Sequence, residues 1–276
     1  MLQYEYMRWF KHGTRFLLVT VGIVVLTALG IDAADTISGS RNTLLGQLVG
    51  SVEGSCPAGM MEVSVAATFS CVDIYELSPS KNCPNAIPKN GQDTLNNLND
   101  SDCEAVAQDK STPWRFITRD QAVAMCLKSG KRLPTNEEWH MIALGTPDND
   151  SCNIETSGVQ ESGVHTECKS SLGVYDAVGN VWEWTSEEVV SGKLKDRALP
   201  ETGYVVRADA AGIAAETSTT SSAQYGNDYI WTNPNSVWAI MRGGFYGSGE
   251  DAGIYAVHAD VPGDMFGDAI GFRCVQ

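Results

Sequence analysis

Cysteine is the residue type in this chain with the most chemistry to offer. Cys56, Cys71, Cys83, Cys103, Cys126, Cys152, Cys168 and Cys274 form an even set, and thiols can cross-link, bind soft metals or act as nucleophiles. Structural zinc is disfavoured, because no Cys-x-x-Cys pair occurs and the four His are scattered. In an oxidising compartment the eight cysteines read as four disulfides. Other catalytic patterns are incomplete. Gly247-Ser248-Gly249 lacks the spacing of a nucleophile elbow, and His258 has no triad context. The glycine-rich tail has neither the lysine nor the following helix of a phosphate loop. Glu187-Glu188 reads as a solvated charge pair rather than an acid/base couple.

The N-terminal region points to such a compartment. Phe16 to Ile31 is an uncharged apolar run, about 24 Å long as a helix at ~1.5 Å per residue. Arg8, Lys11 and Arg15 precede it, and Asp32 and Asp35 follow it. That asymmetry orients the N-terminus to the cytoplasm and everything after the run outward. Ala28-Leu29-Gly30 also resembles a cleavage site, so a secreted product remains the alternative. The reading is a cytoplasmic 1–15, a transmembrane signal anchor at 16–34, a stalk at 35–54 and a folded domain at 55–276. The expected location is a bacterial cell membrane, single-pass, with the C-terminal domain extracytoplasmic. Over the whole chain 19 Lys+Arg oppose 34 Asp+Glu, a net charge of -15. Such a surface repels phosphate backbones, so no nucleic-acid partner is expected.

Local patterns outline the domain. Val63-Ser64-Val65 and Phe69 to Tyr75 alternate as strands. The polar stretch holding Pro79, Pro84, Pro88 and Gly91 reads as loop, stapled by Cys83 and Cys103. Thr118-Arg119-Asp120-Gln121 and Thr135-Asn136-Glu137-Glu138 are capping boxes that open two helices. Gly130 stops the first, and Trp139, Ile142 and Ala143 share one face of the second. Beyond Gly145 helical signal fades, and residues 208–224 read as a surface loop. Proximity in sequence pairs Cys56 with Cys71, Cys83 with Cys103, and Cys152 with Cys168.

Four ordered blocks carry a family resemblance. They are Gly130-Lys131-Arg132-Leu133-Pro134-Thr135-Asn136-Glu137-Glu138-Trp139, Gly179-Asn180-Val181-Trp182-Glu183-Trp184, Arg242-Gly243-Gly244 and Gly271-Phe272-Arg273-Cys274. Together they resemble the formylglycine-generating enzyme (sulfatase-modifying factor) family over about residues 55–276. The resemblance implies an α+β, C-type-lectin-like fold and a Cys126–Cys274 disulfide. It also implies a structural Ca2+ held by Gly179, Asn180, Val181 and Glu183. The family's oxidase chemistry uses two cysteines just after the Arg-Gly-Gly block, and a thiolate pair is what copper(I) requires. Here Ser248 and Gly253 stand near those positions, and no cysteine lies between Cys168 and Cys274. No catalytic residue and no copper are therefore expected.

The segment after Arg242 offers recognition chemistry instead. Phe245, Tyr246, Ser248, Glu250, Asp251, Tyr255, His258, Asp260, Asp264, Met265, Phe266 and Asp268 interleave aromatic and acidic groups. Gly243, Gly244, Ala252-Gly253 and Pro262 read as framework between them. The tail also resembles the variable region of diversity-generating-retroelement target proteins, which end in a similar Gly-Phe-Arg-Cys block. Asn is absent after Asn235, in keeping with their randomised asparagine codons. The expected function is binding of a protein, peptide or cell-surface ligand through region 240–274. A copper-dependent oxidase and a structural envelope module are the alternatives.

Overall fold

The computed structural model describes residues 56–63 and 68–276. The apolar run, the stalk and Ser64-Val65 of the first expected strand lie outside the described residues. No helix among the described residues is long and apolar enough to cross a membrane.

The architecture is mostly sheet with few helices, compatible with the C-type-lectin-like expectation. Short strands β1 (Met60–Glu62), β2 (Cys71–Asp73), β3 (Leu77–Pro79) and β4 (Ala105–Ala107) form two antiparallel pairs, β1–β2 and β3–β4. Helices α1 (Gly91–Asn99), α2 (Arg119–Lys128) and α3 (Asn136–Ala143) lie within the first half of the domain. A larger sheet follows, built from β5 (Trp182–Val190), β6 (Lys193–Leu194), β7 (Arg197–Ala198), β8 (Gly203–Ala208), β9 (Ala214–Ser218), β10 (Tyr229–Thr232), β11 (Val237–Arg242), β12 (Val257–Val261) and β13 (Ile270–Gly271). Its order is β7-β6-β5-β11-β12-β10-β8-β9, with β13 added beside β5. The β10–β12 and β5–β13 pairs are parallel, and the rest are antiparallel.

Period-two alternation sorts the large sheet into two cores. Trp182, Trp184, Ala239 and Met241 pack with Ala122, Met125 and Cys126 of α2 and with Trp114. Val189, Val205, Ile230, Ile240, Val257 and Ala259 form a second cluster with Ile213 and Ala214. The helix starts follow the expected chemistry. Thr118 and Gln121 complete the capping box of α2, and Thr135 and Glu138 that of α3. Glu138 also receives the Arg132 guanidinium at 2.6 Å. That partner and the cap overcome burial and hold its carboxyl down at about 2.

Two expected loops contain regular structure. Helix α1 sits in the stretch read as loop, capped by Asn90, whose side chain accepts from Gln92 and Asp93. Its buried residues are Thr94 and Asn97, so it has no apolar stripe for periodicity to detect. Strands β8 and β9 pair as a hairpin that occupies much of residues 208–224. The Thr and Ser of β9 face the surface of an edge strand, where polarity and strand structure coexist.

All eight cysteines are paired, as Cys56–Cys71, Cys83–Cys103, Cys126–Cys274 and Cys152–Cys168. The third bond closes 148 residues and fastens α2 to the C-terminal segment. That segment also bridges Val275 to Val72 and Arg132, and Cys71 N–H donates to the Gln276 carbonyl. Closing so long a loop constrains the unfolded chain by roughly 4–5 kcal/mol. Urea titration of Cys126→Ala/Cys274→Ala should therefore show a loss of about 4 kcal/mol or more. A loss below about 1 kcal/mol would mean the remaining contacts already restrict the unfolded chain.

Candidate functional site

The site is anchored by a buried ion pair. Arg273 Nε and Nη2 donate to Glu183 Oε1 at 2.9 and 2.5 Å, and Nε also reaches Oε2 at 2.7 Å. Both side chains are almost wholly buried, at 0% and 1% exposure. Nη1 and the second Nη2 hydrogen reach the carbonyls of Asp73 and Tyr175. Trp139 Nε1 donates to Glu183 Oε2 at 2.7 Å, and the Arg242 guanidinium lies 4.7 Å over the Trp139 ring. Arg242 has no solvent access and donates to the carbonyls of Asn136, Ala211, Gly212 and Ile254. Burial lowers its pKa to about 9.

This arrangement bears on the calcium expectation. Glu183 is fully engaged by Arg273 and Trp139. Asn180 Oδ1 accepts from Asn153 and Gln160, and its amide donates to Glu76. Gly179 and Val181 contribute no side-chain oxygen. As placed, the side-chain oxygens of Asn180 and Glu183 are taken up by protein donors, which leaves the turn's backbone carbonyls as its remaining oxygens. No group of three or more His, Cys, Asp or Glu among the described residues could hold a metal ion. Beside the pair, burial followed by the charges of Asp176 and Glu183 pushes Glu76 well above the carboxylate range.

None of the twelve residues singled out between Phe245 and Asp268 is buried. The intervening Ala252, Gly253, Ala256, Val257, Ala259 and Val261 are. Gly243 and Gly244, with φ of 92° and 88°, turn the chain out of β11, and a Cβ on Gly243 would stand 2.4 Å from the Ala177 carbonyl. Pro262, expected as framework, is exposed. Phe245 and Tyr246 pack edge to face, and the Tyr246 hydroxyl donates to Asp268 Oδ2 at 3.2 Å. Phe266 lies against Gly91 of α1. His258 Nδ1 and Asp260 Oδ1 are 2.7 Å apart. Ser248 serves the turn, its hydroxyl accepting from Phe245 N–H at 3.0 Å.

Tyr255 belongs to a different neighbourhood. Its ring meets His140 and Tyr225, and its N–H donates to Asp228 Oδ2 at 2.6 Å. The Asp228 and Asp148 carboxyls are in hydrogen-bond contact with each other. Asp228 is fully buried and its Oδ1 has no donor in the structure, an arrangement that favours retaining a proton on the pair. Burial chiefly, reinforced by the Glu250 charge, pushes Asp148 up to about 6. Burial and then the charge of Asp148 push Asp228 well above the carboxylate range.

Sequence reasoning missed this pair and an aromatic row. Tyr204, Tyr229, Trp231 and Trp182 extend from His258 across β8, β10 and β5, each ring in contact with the next. The spacing of Tyr229 and Trp231 was a usable signal, since alternate residues on a strand share a face. The Glu187-Glu188 pair also departs from expectation. Glu188 binds Arg119 at 2.7 Å, while Glu187 accepts from Asn136 and pairs with Lys195. A cavity near Glu187 and Lys195 is lined by these groups, by Arg197 paired with Asp209, and by Glu137 and Asp196.

A family model, the sulfatase-modifying factor enzyme 1-like domain, matches residues 62–276. The chain belongs to that family. It is 28% identical over 121 residues to the inactive C-alpha-formylglycine-generating enzyme 2 of Bos taurus, covering 35% of this chain and 40% of that protein. It is 31% identical over 100 residues to the formylglycine-generating enzyme of Thermomonospora curvata, covering 27% and 33%. The matched part thus spans well under half the length of these curated relatives. Among solved structures it is similar to a Major Tropism Determinant P3c variant, at TM-score 0.45 and 18% identity over 80% of this chain and 52% of that one. It is also similar to Treponema denticola variable protein 1, at TM-score 0.40 and 15% identity over 77% and 94%.

Two outcomes test the site's electrostatics. Arg273→Met leaves Glu183 buried without its cation and should cost about 3–5 kcal/mol in urea unfolding. Adding Glu183→Gln should recover part of that loss, and no recovery would show that Arg273 acts through its carbonyl contacts alone. The Asp148 carboxyl has a folded pKa of about 6, above its unfolded value. Its stabilising contribution is therefore complete below the unfolded pKa and is lost as pH rises through about 6. Asp148→Asn should raise the melting temperature by about 3 °C at pH 8 and leave it unchanged near pH 3. An equal rise at both pH values would exclude the shared proton.

Proposed function

We propose that this is a membrane-anchored, extracytoplasmic ligand-binding protein whose surface, diversified between copies, lies between Phe245 and Asp268. The observation that carries the reading is the division of that segment. Small and aliphatic residues fill its buried positions, while all twelve aromatic, acidic and polar candidates retain access to solvent. Such a surface offers rigid aromatic anchors beside adaptable hydrogen-bonding groups. The oxidase alternative lacks its chemistry, since every cysteine is committed to a disulfide and none is free. A copper(I) site needs thiolates that these bonds withhold. Similarity to a relative described as inactive accords with a binding role on the same scaffold.

The test uses the full chain in detergent against protein, peptide and glycan arrays and whole bacterial cells. Tyr246→Ala/Met265→Ala/Phe266→Ala should reduce any captured signal at least about tenfold, equivalent to roughly 1.4 kcal/mol, with little change in melting temperature. Phe245 is spared because it packs against the core. An unchanged signal would assign these side chains to packing. Formation of an aldehyde from a cysteine-containing peptide with copper would restore the oxidase reading. Resistance of the full chain to alkaline extraction from membranes tests the anchor, and release tests the cleaved leader.

A further inference from the structure

The surface continues beyond Phe245–Asp268, and its chemistry has a sign. Between Arg242 and Arg273 the chain has no lysine or arginine but carries Glu250, Asp251, Asp260, Asp264 and Asp268. His258 links this acidic stretch to the aromatic row. Its ring is stacked on Trp231 at 4.6 Å and 9°, and it meets Trp182 edge to face at 5.3 Å. Trp231 and His258 are directly opposed across β10 and β12, and Tyr229 and Tyr204 across β10 and β8. Tyr229 lies 4.7 Å from Trp231 and 4.9 Å from Tyr204. These four residues share one face of the sheet, because the intervening Val205, Ile230 and Val257 lie in the opposite core. Tyr204, Tyr229, Trp231 and His258 are all half-buried, and Asp260 holds the His258 ring at its Nδ1.

Several ligand chemistries fail at this face. A phosphate-bearing ligand meets a chain of net charge -15. A small quaternary ammonium needs a gap between ring walls, whereas these rings touch one another. A neutral sugar would use the carboxylates only as hydrogen-bond acceptors and leaves their charge unpaired. A planar cation uses both features, stacking on aromatic groups while pairing with carboxylate. Guanidinium is more weakly hydrated than ammonium and forms the better fork with an aspartate.

We propose that the partner is a basic polypeptide segment, with one of its arginines lying against Tyr229 and Trp231 and paired to Asp260. This rests on the binding reading above and names the kind of ligand. The probe is a fluorescein-labelled (Arg-Gly)4 peptide, with a citrulline-Gly twin of the same shape and no charge. Both are titrated into the full chain in detergent at low salt. The arginine peptide should bind at least about tenfold more tightly than its twin. Asp260→Asn should weaken it about fivefold to tenfold, and so should Trp231→Ala, whose melting temperature is measured alongside because Trp231 also packs against the core; Trp231→Phe, which keeps a ring, should weaken it less. Glu161→Gln removes one charge from an exposed position outside the segment and should leave affinity unchanged.

Equal binding of the citrulline twin overturns the proposal. So do equal losses from Asp260→Asn and Glu161→Gln, which would reduce the effect to net charge. Absence of arginine-peptide binding at about 1 mM overturns it too. If the Tyr246/Met265/Phe266 variant loses an array ligand that Trp231→Ala and Asp260→Asn retain, the binding surface stands and only the arginine assignment falls.

Discussion

The fold is organised around one indole. Trp139 stacks under Arg242 and donates its ring N–H to Glu183, which in turn holds Arg273. Four segments distant in sequence therefore meet through a single relay on α3, β5, β11 and the C-terminal segment. A buried ion pair costs desolvation on both sides, and the cost is tolerable only when every remaining donor finds an acceptor. The carbonyls of Asp73 and Tyr175 give each nitrogen of Arg273 at least one acceptor. Arg242 meets it only in part: its two terminal nitrogens donate to carbonyls, while its buried Nε has no acceptor.

The relay brackets the segment proposed to bind. Arg242 enters it and Arg273 follows it, and both are held by side chains outside it and by backbone carbonyls, of which only that of Ile254 belongs to the segment. Side chains between them can then change without disturbing the anchors, provided that the small buried residues stay small. The acid pair Asp148–Asp228 is a second tie, because Asp228 holds the backbone of Tyr255 within the segment. Its chemistry is opposite in kind. The arginines fix charge in place, while the two carboxyls are at ease only with a proton between them.

Features legible in the sequence were those encoded locally or by an ordered set of motifs. Thr118 with Gln121 and Thr135 with Glu138 announce their helices in four residues each, because a cap is satisfied by its own turn. The disulfide partners followed from sequence proximity and from the family pattern. Helix α1 was not legible, since it buries Thr94 and Asn97 and is held by polar contacts such as Asn97 to Asn85. The Arg273 partner of Glu183 was not legible for a similar reason. A carboxylate in a glycine-rich turn suits any cation, and the approach of Arg273, 90 residues away, appears only in three dimensions. The aromatic row escaped because its members come from strands whose neighbours are not adjacent in sequence.

The Cys126–Cys274 bond also imposes an order on maturation. In a chain exported from its N-terminus, the three local bonds close over 15, 20 and 16 residues and can form soon after each second thiol arrives. Cys126 must wait for 148 residues, while Cys152 and Cys168 pass within reach. Early mispairing among these three would be undone only by thiol–disulfide exchange, a step of seconds to hours. The scaffold consequently locks last, after the whole recognition segment has emerged. The bond thus closes only on a chain that has been made as far as Cys274.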